Sequence, residues 1–210
     1  MIDPVEIEVK FLVENPVSLR GEVAALGALS HGRGLEINYR YDDPEASLAQ
    51  RRMLLRLRRD RSIRLTVKTP PAAEDPQFKV LREVEVEVSD FETMDRLLNR
   101  LGFQRVQIYE KWRETFRLGD TLLCIDELPY GTFLEIEGSK PSIRQLAQRL
   151  GLPWSGRILA NYLEIFDAVR SAVGLVAMDL TFSAFENIPQ CPAAVIRRFE
   201  ADDAPPVSQS

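Results

Sequence analysis

Apolar and charged residues alternate one for one along several stretches of this chain. The first, Val5-Glu6-Ile7-Glu8-Val9-Lys10-Phe11, places its charges on one side of an extended backbone and its apolar side chains on the other. Neighbouring side chains of a strand point to opposite faces, so Glu6, Glu8 and Lys10 must share one. The pattern recurs with cations at 55–58 (Leu-Arg-Leu-Arg) and 63–68, and with carboxylates at 83–88. Lys111-Trp112-Arg113 is basic again, and Leu134-Glu135-Ile136-Glu137 acidic. Strands are expected over 5–11, 35–41, 53–60, 62–68, 78–88, 103–118, 121–126 and 132–137. Asp60-Arg61, Gly119-Asp120 and Pro129-Tyr130-Gly131 supply turns, and the prolines of 69–76 a loop.

Helical spacing appears between the strands. Asn15-Pro16 opens a helix carrying Val17, Leu19, Val23 and Leu26, with Gly27 and the glycines at 32 and 34 punctuating its exit. Ser89-Asp90 caps a second helix, with Phe91, Met94, Leu97, Leu98 and Leu101 on one face and Gly102 closing it. Residues 141–150 and 158–173 read as two more, the last burying Leu159, Tyr162, Leu163, Ile165 and Phe166.

Composition narrows the picture. A chain of 210 residues can bury one sizeable core. Its net charge of -5 argues against a broad nucleic-acid-binding surface. Cys124 and Cys191 lie far apart without metal-ligand spacing and read as reduced thiols. Charges interrupt the first apolar run, so no signal peptide is expected. The apolar-leaning stretch 168–178 is too short and interrupted for a bilayer span. The expectation is a cytoplasmic protein with no membrane and no nucleic-acid partner. A domain over 1–170 would be followed by an extension, 171–210, comprising a docked segment (Asp179 to Phe182, with Phe185) and a flexible tail.

A half-wet antiparallel sheet explains any one of these strands. The ensemble asks for more: the uncharged faces are strongly apolar, the charged ones are rich in Arg and Glu, and the signs segregate by strand. A sheet closed on itself, charged face inward and helices packed outside, satisfies all three. The fold class expected is therefore α+β, a closed antiparallel β-barrel of about eight strands with a charged lumen.

The same residues carry a family resemblance. Glu6-Ile7-Glu8-Val9-Lys10 resembles the ExExK signature of the CYTH proteins, or triphosphate tunnel metalloenzymes. That family includes class IV adenylate cyclases, thiamine triphosphatases and inorganic triphosphatases. Arg56-Leu57-Arg58, Leu65 to Lys68, Arg82-Glu83-Val84-Glu85, Glu110 to Arg113, Cys124-Ile125-Asp126 and Leu134 to Gly138 follow the family's motifs in order. One departure is visible: Ala160-Asn161-Tyr162 stands where relatives carry a cation before Ser-Tyr, with Arg157 as a substitute to consider.

The resemblance implies a small-molecule triphosphate bound in the lumen with Mg2+ or Mn2+. Arg56, Arg58, Lys68, Arg82, Lys111 and Arg113 would hold phosphate oxygens, which guanidinium groups bind bidentately. Glu6, Glu8, Asp126, Glu135 and Glu137 would serve the metal, with Glu83 and Glu85 as additional acidic partners. Lys10 would position the nucleophile or act as base. The base role needs a large fall from a free-lysine pKa of about 10.4. Arg56, Arg58 and Arg113 would favour that fall, and Glu6 and Glu8 oppose it. Arg64, Glu87 and His31 have blander readings, as lining, solvated and exposed groups, and Tyr39 and Tyr41 read as core or rim. Three functions compete: triphosphate hydrolysis, cyclisation of ATP to cyclic AMP and pyrophosphate, and polyphosphate or nucleotide binding without turnover. The resemblance also allows a homodimer.

Overall fold

In the computed structural model, which describes residues 4–188 and 191–201, the alternating stretches form one curled sheet. The first strand is β1 (Val5–Val13), and β2 (Leu29–Asp42) and β3 (Leu54–Arg59) follow it. The sheet continues with β4 (Ile63–Thr69), β5 (Lys79–Glu87), β6 (Gln104–Leu118), β7 (Thr121–Leu128) and β8 (Gly131–Glu137). Their order is β5-β4-β3-β2-β6-β7-β8-β1, and β1 also pairs with β5, so the eight strands close into a barrel. Every pairing is antiparallel. Closure divides β1 between neighbours: Val5 to Glu8 pair with β5, and Glu8 to Val13 with β8 on the other edge. Where β5 has ended, the two-residue β9 (Arg157–Ile158) takes Lys10 and Phe11 from outside the closed ring.

Among the described residues, six helices accompany this barrel. Its outer face is covered in patches, because each strand's apolar parity must be buried somewhere. Val9, Phe11, Leu123, Ile125, Leu134 and Ile136 pack with Leu19 and Val23 of α1 (Pro16–Ala25) and Ile143 and Leu146 of α4 (Lys140–Arg149). Tyr41, Leu55 and Leu57 pack under Phe91 and Leu98 of α3 (Phe91–Arg100). Tyr39 sits edge-on to Phe91, and the Tyr41 hydroxyl donates to Asp95, so both tyrosines serve the core. Between β2 and β3 lies the single turn α2 (Ser47–Gln50).

The third patch forms around α5 (Tyr162–Val173) rather than on the barrel's flank. Ile165, Phe166 and Val169 are fully buried there, against Phe133, Ile158 and Tyr109 of the sheet. The extension joins them through Leu180, Val195 and Ile196, the last two on α6 (Ala193–Arg197). Leu180 forms a parallel bridge with Tyr109, donating to Ile108 and accepting from Glu110, while Asp179 accepts from the Ile108 N–H. The segment 179–182 therefore docks on β6 backbone that β7 leaves unpaired. The tail beyond Ala201 lies outside the described residues.

Two elements differ from the sequence expectation. β2 begins at Leu29, six residues before the expected start, and runs through glycines read as loop. A bulge at Ser30/Gly32 absorbs them; Gly32 has φ +87, and the Arg61 guanidinium lies where its Cβ would be. The last long helix begins at Tyr162, not at 158, because Asn161 and Glu164 form a capping box there.

Candidate active site

Period-two alternation fixes which side chains enter the lumen. β1 supplies Glu6, Glu8 and Lys10, β2 Glu36 and Asn38, β3 Arg56 and Arg58, and β4 Thr66 and Lys68. From β5 come Lys79, Glu83 and Glu85, from β6 Tyr109, Lys111 and Arg113, and from β7 and β8 Asp126, Glu135 and Glu137. The space divides into two cavities of about 410 and 600 Å³, which share Glu6, Arg56, Arg58, Lys68 and Arg113 as a common wall.

Arg82 does not belong to this set. It is exposed, with parity opposite to Glu83 and Glu85, so the strand turns it outward. This corrects the expectation that it holds phosphate. Nor does Arg157 replace the missing cation: it shares a face with Phe11, stacks over Trp154 at 5.0 Å and donates to that residue's carbonyl. Sequence reasoning missed two lumen residues, Glu36, which is buried, and Lys79, which is partly buried. Each was legible from parity alone, Glu36 by its alternation with Leu35 and Ile37, Lys79 by matching Glu83. His31 is exposed, at the mouth of the smaller cavity.

Charges pair across the strands. Lys10 Nζ lies 2.8 Å from Glu8 and 3.4 Å from Glu135. Lys79 reaches the same Glu8 oxygen at 2.8 Å. Lys68 bridges Glu6 and Glu83, the latter at 2.9 Å. Arg113 grips Asp126 with two nitrogens and also reaches Glu135, while Lys111 lies 2.8 Å from Asp126. Arg56 stands 3.9 Å from both Glu83 and Glu85.

Asp126 is fully buried and also accepts from the Tyr162 hydroxyl at 2.9 Å. The Tyr162 ring lies beneath both Lys10 and Lys111, at 5.2 and 5.1 Å. Thus α5 does more than bury apolar surface: its first residue touches the charged network. Asp126 stands here as the anchor of Lys111, Arg113 and Tyr162.

These pairings set protonation. Burial would lower the pKa of Lys10, but Glu8 and Glu135 outweigh it and hold the ammonium charged well above neutrality. Burial would raise Glu8, yet Lys10 and Lys79 pull it far below the usual carboxylate range. Glu137 goes the other way: burial, then the charges of Glu6 and Glu8, push it up to about 7. Glu6 is raised for the same reasons, burial first and Glu8 next, against the pull of Lys68.

Among the described residues no three carboxylate, imidazole or thiol groups converge as a ready-made metal cluster. The donor chemistry nevertheless fits a hard divalent ion at Glu6, Glu8 and Glu137. Glu8 and Glu137 are register partners on β1 and β8, and a cation would relieve both the burial and the repulsion from Glu6 and Glu8 that raise Glu137. Magnesium commonly takes only one or two protein carboxylates, leaving its other positions to water and phosphate.

Comparison with known proteins agrees with this architecture. The CYTH domain model matches residues 4–150. A Methanocaldococcus jannaschii protein with the provisional name adenylate cyclase is 25% identical over 167 residues, 79% of this chain and 89% of that protein. The crystal structure of a Vibrio parahaemolyticus protein, also provisionally named an adenylate cyclase, superposes with a TM-score of 0.69 at 23% identity, covering 79% of this chain and 99% of its own. A Hippeastrum protein provisionally named an adenylyl cyclase and described as having a dominant triphosphatase activity superposes with a TM-score of 0.54 at 20% identity, over 77% of this chain and 95% of its own. With the motif strands in order, the barrel closed and the charged side chains turned inward, the chain belongs to the CYTH-domain family.

Proposed function

We propose that this protein is an enzyme that cleaves a phosphoanhydride bond of a small triphosphate held in its lumen, with Mg2+ or Mn2+ as cofactor. The observation that carries this reading is the gathering, inside one barrel, of a cationic wall and a group of carboxylates. Arg56, Arg58, Lys68, Lys111 and Arg113 form the wall, and Glu6, Glu8 and Glu137 the acidic side. Guanidinium forks suit phosphate oxygens, and five cations match the charge of a triphosphate better than that of a monophosphate. When bound to the acidic side, the metal would neutralise charge developing on the scissile anhydride.

The chain's own residues supply the rest. Asp126 and Glu135 hold Lys111 and Arg113 in fixed orientation, so the wall is organised before substrate arrives. Lys10 works as a charged donor, orienting the attacking oxygen or a phosphate oxygen, rather than as a base. Water is the nucleophile in this reading.

Cyclisation of ATP is the second reading, and one feature favours it. The larger cavity extends from the shared wall past Met53, Leu54, Pro70, Pro71, Leu159 and Leu163. That is room and apolar surface for an organic group beyond the phosphates. The name of the Methanocaldococcus relative points the same way. Incubation with tripolyphosphate, ATP and thiamine triphosphate in Mg2+ or Mn2+, resolving phosphate, pyrophosphate and cyclic AMP, decides the matter. Phosphate release supports hydrolysis, and cyclic AMP as main product would replace it by cyclisation. No product from any of the three would overturn the enzymatic reading.

A further inference from the structure

Glu36 is the one lumen carboxylate on β2, and no motif of the sequence points to it. Only 3% of its surface is exposed. It lies opposite Lys111 in the β2–β6 register and projects among the cations expected to hold phosphate. Its Oε1 is 3.4 Å from Arg58 and 3.8 Å from Arg113, and its Oε2 3.6 Å from Lys111. These separations are longer than the tight contacts elsewhere in the lumen, such as Lys111–Asp126 at 2.8 Å. Oε2 is buried and, among the described residues, accepts no hydrogen bond. Among the described residues Glu36 is the only carboxylate paired with Arg58, whose other polar partner is the Asn38 amide oxygen at 3.1 Å.

A buried carboxylate usually takes the best hydrogen bonds on offer, because an unsatisfied acceptor is costly. Asp126 does so with the same two β6 cations. Glu36 instead pairs loosely with three cations at once, none closer than 3.4 Å. Its charge still acts at that range in a lumen of low dielectric. It offsets like-charge repulsion between the β3 and β6 cations, and it repels any phosphate that comes to them.

We propose that Glu36 is a specificity- and affinity-setting positioning residue: a built-in counter-ion that holds Arg58, Lys111 and Arg113 poised for phosphate and weakens the lumen's grip on phosphate anions. This rests on the proposed triphosphate site and deepens it. Binding energy that is uniform between substrate, transition state and product does not raise turnover. A fixed negative charge in the phosphate cradle trims that uniform part and speeds departure of the anionic product.

The test is titration of the full chain with tripolyphosphate in chelator, so that binding is read without turnover, followed by steady-state kinetics with metal. Glu36→Gln preserves shape and removes the charge. It should tighten tripolyphosphate binding about tenfold or more, strengthen inhibition by pyrophosphate similarly, and lower KM and kcat together. A merely structural role predicts the opposite sign, since cations left without a fixed orientation would hold phosphate less well. Equal or weaker binding by a folded Glu36→Gln protein overturns the proposal. Should that variant fail to fold, Glu36→Asp, which withdraws the charge from Arg58 by one methylene, should show a smaller tightening of the same sign, and no tightening overturns it. If the unmodified protein fails to bind tripolyphosphate at all, the triphosphate reading fails and this inference falls with it. If it binds and only the Glu36 effect is absent, the triphosphate site stands alone.

Discussion

Lys10 lies 1% exposed between Glu8 and Glu135, so its replacement removes a charge from the lumen, not a base. Lys10→Ala should reduce turnover by about 100-fold or more while tripolyphosphate still binds through the arginine wall. Unchanged turnover would take Lys10 out of the mechanism. Glu137 gives a pH signature. Its folded pKa, about 7, stands above its ordinary value of 4.5, so between those values the folded state holds a proton the unfolded chain has lost. Stability must therefore fall as pH rises through that window. Metal-free Glu137→Gln should be more stable than the parent above pH 7, by about 1–2 kcal/mol after screening at this half-buried group, and the gain should vanish near pH 4.5. Denaturant titrations at several pH values check this; parallel pH profiles for the two proteins would refute it. The same variant should need more metal for activity. Arg82→Ala should leave activity within about twofold, since an exposed outward side chain can reach no substrate. The motif residues were legible because alternation assigns faces before any contact is known. Strict use of that parity excludes Arg82 and admits Glu36 and Lys79. The ion-pair partners were not legible, because which cation meets which carboxylate depends on register between strands distant in sequence.

At the scale of elements, α5 couples stability to the site. It buries Ile165, Phe166 and Val169 completely and places Tyr162 against Asp126. Phe166→Ala should cost about 3–5 kcal/mol in a denaturant titration, and the surviving folded protein should turn over more slowly as Tyr162 loses its support. Asn161→Ala, which removes the capping box, should cost only about 1 kcal/mol. A Phe166→Ala cost below that of the cap would mean that this apolar cluster does not hold the helix in place. The sequence announced the helix by its spacing but not its first residue, since the capping box outweighs the apolar pattern of 158–161. The docked segment around Leu180 has no periodicity to read. Its place follows from unpaired β6 backbone, which only the closed sheet reveals.

The whole molecule is a closed ring of strands around opposed charges, and ring closure is what makes those charges meet. Separately, each strand is an ordinary half-polar strand; together they enclose more buried cations and carboxylates than an isolated core would tolerate without pairing. Such a lumen should be stabilised by its ligand. Tripolyphosphate at about 100 times its Kd should add about 2.7 kcal/mol to unfolding stability by mass action, and increasing salt should weaken the effect. The most direct test of the central claim is 31P NMR of tripolyphosphate incubated with the protein and Mg2+, before and after chelator. The account predicts conversion to pyrophosphate and phosphate that stops when the metal is removed, with the remaining tripolyphosphate still broadened by binding. A spectrum unchanged in both composition and linewidth would contradict it.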